Sequence, residues 1–326
     1  MITRRHLGAS GALLPLLAMP WKSARAQRLI PDGPVTIVVP YTPGTGPDIL
    51  SRLLAPSLQQ RFAQSVVVDN RPGASGNIGT QFVARAAPDG RTLMLQPNTF
   101  VMNPSLFQQV PYDPIKSFTP IILLSRGDLV MVVNPDVPAS DARELAELAR
   151  AKPGSLDYGS PGTGTPQHLA MALFGLTADV RMNHVPYRGA APSIQDLIGR
   201  RIAAMVLPVH TALPLAQADQ LRMLAICGDR RTDVAPDVPT LAEAGFPGSQ
   251  ADLWFGLFGP AELPADFVRS VNAGLNTWLG DPKTRDALRA QGMKPAGGTP
   301  EALGELAQRD LARWADVIRR SGISAG

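Results

Sequence analysis

Pro43-Gly44-Thr45-Gly46 and Pro161-Gly162-Thr163-Gly164 are the same four residues met twice in one chain. Each follows a strand candidate and precedes a helical pattern. A glycine turn at a helix start exposes backbone N–H groups without an intrahelical partner, and a carboxylate or phosphate can accept bonds there. The hydroxyls of Thr42, Thr45, Thr163 and Thr165 add donors at the same two places. The chemistry this points to is anion recognition by backbone dipoles and hydroxyls rather than by a cage of cations. Tyr41, Pro43, Gly44, Asn77, Thr99, Pro161, Gly162, His168, Tyr187 and His210 complete the candidate ligand-binding set. Asp48 reads as a helix cap, since it would repel an anion if it faced inward. Arg71 reads as a structural ion-pair partner.

The elements that must position these loops follow from apolar patterning. Val35–Val39 is a β-branched strand core, and residues 49–61 form the first helix. Val66–Val68 is a second strand, and the glycine-rich stretch 69–77 leads into a helix from about Ile78 to Ala87. Thr92–Leu95 is a third strand, ending in Gln96-Pro97-Asn98-Thr99. This β-loop-α order belongs to parallel sheets, whose ligands bind at the carboxyl ends of the strands. Further on, Leu129–Val133, Leu156–Ser160, Ile202–Leu207, Leu221–Ile226 and Trp254–Gly259 read as strands. Ser140 is read as capping a helix through Ala151, and Ser193 one from Ile194 to Gly199. Helix candidates close the chain over 265–279, 283–291 and 300–320.

Several function classes fall away. Neither loop fits G-x-G-x-x-G or the P-loop pattern, so a nucleotide cofactor is not expected. A hydrolase would use Ser160 with His168 or His210, but there is no G-x-S-x-G elbow. With four histidines in the chain, one of them His6, no metal site is expected. Cys227, the only cysteine, follows Leu224-Ala225-Ile226 and reads as a buried strand residue.

The first residues look like an export signal. Arg4 and Arg5 precede an apolar run from Leu7 to Met19, and Ala24-Arg25-Ala26 is an A-x-A site, so a mature start at Gln27 is expected. That segment carries Arg4, Arg5, Lys22 and Arg25 and no acid, so the net charge of +4 minus 4 leaves 0 for the remainder. The remaining 300 residues (326 minus 26) can bury two cores. No dense basic block suggests nucleic acid.

At these loops the chain resembles the substrate-binding receptors of tripartite tricarboxylate transporters, the Bordetella-type uptake proteins. The resemblance rests on Ile37–Pro40 with its Pro-Gly loop, Asn70-Arg71-Pro72-Gly73-Ala74-Ser75-Gly76-Asn77-Ile78-Gly79, and Ala87–Gly90. It continues through Tyr158-Gly159-Ser160, His168-Leu169, His184–Gly189, Pro236–Gly245 and Trp254-Phe255-Gly256. It implies an α/β, two-domain periplasmic binding protein-like fold of type II with an interdomain ligand cleft. The implied organisation is a signal over 1–26, a first domain from 27–125 and 255–326, and a second over 126–254. The implied role is a monomeric periplasmic receptor, not an enzyme and without a cofactor. It would capture a small organic carboxylate, such as a dicarboxylic, amino or aromatic acid, and deliver it to tripartite tricarboxylate transporter membrane subunits. A periplasmic hydrolase acting on a small carboxylate or ester is the alternative. Two departures from the family pattern stand out: Thr45 replaces a common glycine, and Ala172 stands where an acid is often found.

Overall fold

The structure, a computed structural model, describes residues 32–325, so the expected signal over 1–26 and its cleavage site lie outside the described residues. The chain opens with β1 (Val35–Val39), α1 (Gly46–Phe62), β2 (Val66–Asn70), α2 (Asn77–Ala84), β3 (Thr92–Pro97), α3 (Thr99–Leu106) and β4 (Phe118–Gly127). After one linking residue, Asp128, come β5 (Leu129–Val133), α4 (Ala142–Ala151), β6 (Asp157–Ser160), α5 (Pro166–Ala178) and β7 (Asn183–Pro186). Then follow α6 (Ala190–Ile198), β8 (Ala204–Pro208), α7 (Val209–Gln217) and β9 (Arg222–Ile226). The last part holds β10 (Leu253–Pro260), α8 (Ala265–Gly280), α9 (Pro282–Ala290), β11 (Lys294–Pro295) and α10 (Pro300–Ser321).

These strands build two sheets, ordered β11-β4-β10-β3-β1-β2 and β7-β6-β8-β5-β9. In the first, β1 pairs parallel with β2 and β3, while β10 runs antiparallel to β3 and β4. In the second, β6 pairs parallel with β7 and β8, and β5 runs antiparallel to β8 and β9. The parallel parts are those followed by helices, because a parallel neighbour needs a crossover. Val35, Ile37, Val38 and Val39 are fully buried, as expected for a strand covered on both faces. Leu50, Leu54 and Leu58 of α1 meet Leu93, Leu95 and Val271 on one face of the first sheet. On its other face, Phe100, Trp254, Phe258 and Trp314 join a core that continues to Leu169 and Phe174 of the second unit.

The chain crosses between the sheets at Asp128 and returns between Ile226 and Leu253. The two passages are tied together: Arg126 pairs with Asp252 at 3.3 Å, and the Cys227 N–H donates to Leu129 O at 2.8 Å. Cys227 is buried, and that burial pushes its thiol up to about 12, consistent with a packing residue rather than a nucleophile. α10 braces the return passage, with the Trp254 indole N–H donating to buried Asp310 at 2.7 Å.

Several boundaries differ from the sequence reading. α1 begins at Gly46, with Thr45 at the cap position and Asp48 already inside the first turn. α4 is capped by Asp141, whose carboxylate accepts from Arg143 and Glu144 N–H, not by Ser140. Ser193 lies inside α6, where its hydroxyl donates back to Ala190 O at 2.7 Å. α3, α7 and β4 have no counterpart in the sequence reading.

Candidate ligand-binding site

In the first unit, the loops after parallel strands β1, β2 and β3 meet, and each opens a helix. Tyr41 is the side chain that joins them. Its hydroxyl bonds Thr99 Oγ1, lies 3.5 Å from Ser75 O, and sits where a Cβ on Gly76 would come within 3.1 Å. Burial pushes the Tyr41 phenol up to about 12, so it is neutral and offers one donor. Ala74 and Ser75 both adopt left-handed φ, 47° and 54°, a conformation costly for residues with a Cβ. Asn77 lies behind this surface: its Oδ1 accepts from Asn103 Nδ2 and Tyr112 Oη, each at 2.7 Å.

Thr42, Pro43 and Gly44 are exposed at the loop crest. Asp48 is buried beneath it. Its carboxylate accepts from Gly44 N at 2.9 Å, from Asn70 Nδ2 at 3.0 Å and from Arg52. Burial alone would raise the Asp48 carboxyl, but these bonds outweigh it and hold it below the usual carboxylate range. Asn70 also donates to Tyr41 O at 3.0 Å, which fixes the base of the loop. Sequence reasoning passed over Asn70, whose one signal was its place in the Asn-Arg-Pro-Gly stretch. Arg71 is occupied, paired with Asp69 at 2.6 Å and stacked over the Phe82 ring.

In the second unit, Pro161, Gly162, Thr163 and Thr165 follow β6, and Thr165 caps α5. The two loops correspond, but not in the register of their shared letters. Gly44 and Gly164 both take left-handed φ, 81° and 78°. Thr45 and Thr165 each donate through Oγ1 to the carbonyl three residues back, at 2.8 Å. The Gly44 N–H reaches the Asp48 side chain, and the Gly164 N–H reaches His168 Nδ1 at 3.0 Å. Thr45 is therefore the counterpart of Thr165, and Asp48 of His168. Arg52, four residues after Asp48, is matched by Ala172. A buried carboxylate needs a cation, whereas a neutral imidazole does not.

His168 is 3% exposed, and its ring stacks on that of His184 at 3.6 Å between centroids. Burial drives His168 down to about 3, with His184 adding to the effect, and drives His184 down to about 4. Both rings are neutral at pH 7. Ser160 Oγ lies 2.7 Å from His184 Nε2, but it is fully buried and also bonds Gly162. No carboxylate bonds His184 among the described residues, so the pair lacks the access and the orienting acid that a nucleophile requires. Tyr187 turns its hydroxyl to Asp196 at 2.8 Å. His210 meets the first unit at Gly292, where a Cβ would fall 2.0 Å from its Nδ1. Leu106 of α3 seats against Gly164 in the same way, with a Cβ there 2.6 Å from Leu106 Cδ1. No group of three or more metal-ligating side chains occurs among the described residues.

The model of the tripartite tricarboxylate transporter family receptor matches residues 50–323. The chain belongs to this family. The receptor is 38% identical over 305 residues to a protein from the tcbD-tcbE intergenic region of Pseudomonas sp. strain P51, covering 93% of this chain and 91% of that one. Among solved structures, an R. palustris protein with adipate superposes with a TM-score of 0.78 at 34% identity, covering 89% of the receptor and 97% of that chain. MatC from Rhodopseudomonas palustris, solved with bound malate, superposes with a TM-score of 0.75 at 30% identity, covering 87% and 98%. The receptor thus has the two-domain α/β periplasmic binding protein-like fold, and it is a periplasmic solute-binding protein rather than an enzyme.

Proposed function

We propose that the receptor captures a small carboxylic acid between its two glycine-threonine loops and delivers it to the membrane subunits of a tripartite transporter. The observation that carries this reading is the matched pair of loops. Gly44-Thr45 and Gly164-Thr165 are built alike and open α1 and α5, so each unit aims a helix N-terminus and a hydroxyl-lined turn outward. A carboxylate gains from both. The nearby cations Arg52 and Arg71 are committed to Asp48 and Asp69, and the Thr45 and Thr165 hydroxyls to loop carbonyls, so recognition falls to backbone N–H groups, Tyr41, Thr99, Thr42 and Thr163. In this reading Asn77 and His168 shape the loops from behind, and Tyr187 and His210 border the cleft.

The relatives solved with adipate and malate support an aliphatic dicarboxylate over an aromatic acid. A thermal-shift screen of aliphatic, amino and aromatic acids tests this. A ligand at one hundred times its Kd adds about 2.7 kcal/mol, a rise of about 4 °C for a chain of this size. The expected result is such a rise with a short dicarboxylate and no turnover of it. If no carboxylate moves the midpoint, the reading fails.

A further inference from the structure

The largest cavity among those described, about 890 Å³, is not lined by any residue of the first loop. It is a groove on the flank of the second unit, walled by α4, α5, the start of β7 and the end of α10. Its floor is one face of α5, where His168, Met171, Ala172, Gly175 and Leu176 recur at helical spacing, with Asp179 just beyond the helix end. Eleven residues of helix make it about 16 Å long. Its volume falls within the range of small-molecule sites.

Two side chains at one end point to a ligand. Tyr158 and His168 are 6% and 3% exposed, and both line the groove. The Tyr158 hydroxyl has no hydrogen-bond partner among the described residues. His168 accepts the Gly164 N–H at Nδ1, so the neutral ring carries its proton on Nε2, which also has no partner among them. Two donors on largely buried side chains thus face one space, free to meet an acceptor there. At the other end stand Arg150, Arg181 and Arg320 against Asp179. Arg150 donates to Ala178 O at 2.8 Å, and Arg320 pairs with Asp316 at 3.5 Å; both lie in last helical turns, where a cation also answers the helix dipole. Arg181 is exposed, and its guanidinium has no partner among the described residues.

We propose that this groove is a second binding site, taking an elongated organic anion. One acceptor end meets Tyr158 and His168, the other meets Arg181, and an apolar middle lies over Ala172 and Leu176. Because the Gly164 N–H bond ties His168 to the second loop, occupancy of the groove bears on that loop from behind. The groove shares Thr163 and His168 with the second loop but has no residue of the first, and its occupancy does not depend on the cleft reading.

The test uses sebacate as probe and 1,10-decanediol as its uncharged match, followed by methyl NMR of Met171 and Met182, which line the groove. Sebacate is expected to shift both methyls saturably. Arg181→Glu and Tyr158→Phe are each expected to weaken it about tenfold, the loss that goes with one bond to a charged group. Tyr158→Phe removes only a hydroxyl and Arg181 is exposed, so both variants keep the fold. Absence of saturable shifts, equal binding of the diol, or indifference to both substitutions would each overturn the proposal.

Discussion

Lowering the pH from 8 to 5 is expected to cost this receptor about 3 kcal/mol of stability through His168 and His184. Both imidazoles have folded-state pKa values depressed from 6.5, to about 3 and about 4, by burial in their stack. The unfolded chain therefore binds more protons than the folded one between pH 6.5 and the folded values. Stability is full above pH 6.5 and falls as the pH drops through that window. At pH 5 the unfolded His168 is almost fully protonated and the folded one is not, a difference of about 2 kcal/mol. His184 is only partly buried, so solvent screening reduces its share to about 1 kcal/mol. Asp252 and Asp310 act in the opposite sense. Burial raises both, so they favour the folded state as the pH falls from their folded values toward 3.8. Urea unfolding at pH 8, 7, 6 and 5 measures the slope, and His168→Gln/His184→Gln removes the titrating rings while leaving amide groups to bond. The double variant should lose most of this slope and keep only the part that His210, also depressed by burial, contributes in the same sense. A wild-type loss under about 0.5 kcal/mol by pH 5, or a double variant that keeps the whole loss, would refute the assignment of this term to the pair.

Thr45→Gly removes the bond to Thr42 O, 2.8 Å long, and frees the crest of the first loop; affinity for the stabilising acid should change at least about threefold, while the thermal midpoint moves by less than about 2 °C, in keeping with the modest worth of one exposed bond. Equal calorimetric affinities across an acid panel would remove Thr45 from recognition. Gly164→Ala adds a Cβ 2.6 Å from Leu106 Cδ1 at a φ of 78°, so it should destabilise by about 2–3 kcal/mol. In a double-mutant cycle, Leu106→Ala should recover the steric part, and strict additivity would show that the contact is not the cause. His168→Asp places a carboxylate where Ala172 offers no cation four residues on, and should cost about 3 kcal/mol at pH 7. Adding Ala172→Arg, which recreates the Asp48–Arg52 spacing, should restore at least about 1 kcal/mol in urea unfolding, and no recovery would sink the proposed equivalence.

The strands that were easiest to read are those whose residues are buried on both faces. β5 is an unbroken apolar run and β1 is interrupted only by β-branched Thr36, and both are fully or almost fully buried. The elements missing from the sequence reading all carry proline. α3 contains Pro104 and α7 contains Pro214, each a helix breaker by local rules, and tertiary packing of Phe100 and Ala212 overrides it. β4 contains Pro120, which a central strand excludes. It is tolerated because β11 pairs only with Ser125 and Arg126, so β4 has a single partner strand at Pro120. Ser140 and Ser193 looked like caps because serine suits the position, yet Asp141 and Gly189 stand nearer the true helix starts.

The two loops show the same limit more sharply. Their shared letters align Gly44 with Gly162, whereas their bonding aligns Gly44 with Gly164. What sets the correspondence is where each helix begins: α1 at Gly46 and α5 at Pro166, each with proline in the first two positions. Counting back from those starts, the left-handed glycine and the threonine fall in the same places. A left-handed glycine is needed there because its N–H must turn inward to a side chain four residues on, and that bond holds the crest. Composition reveals that each loop has such a glycine, but not which one, since Gly162 and Gly164 are both available. The choice is made by the bond to His168, and hence by a buried neutral ring far less conspicuous in the sequence than the repeat. That ring also separates the two jaws electrostatically. The first loop is anchored by an anion neutralised by Arg52, the second by an uncharged group that needs no cation. In the proposed clamp, an approaching carboxylate would therefore meet helix N-termini on both sides without a bare like charge behind either one.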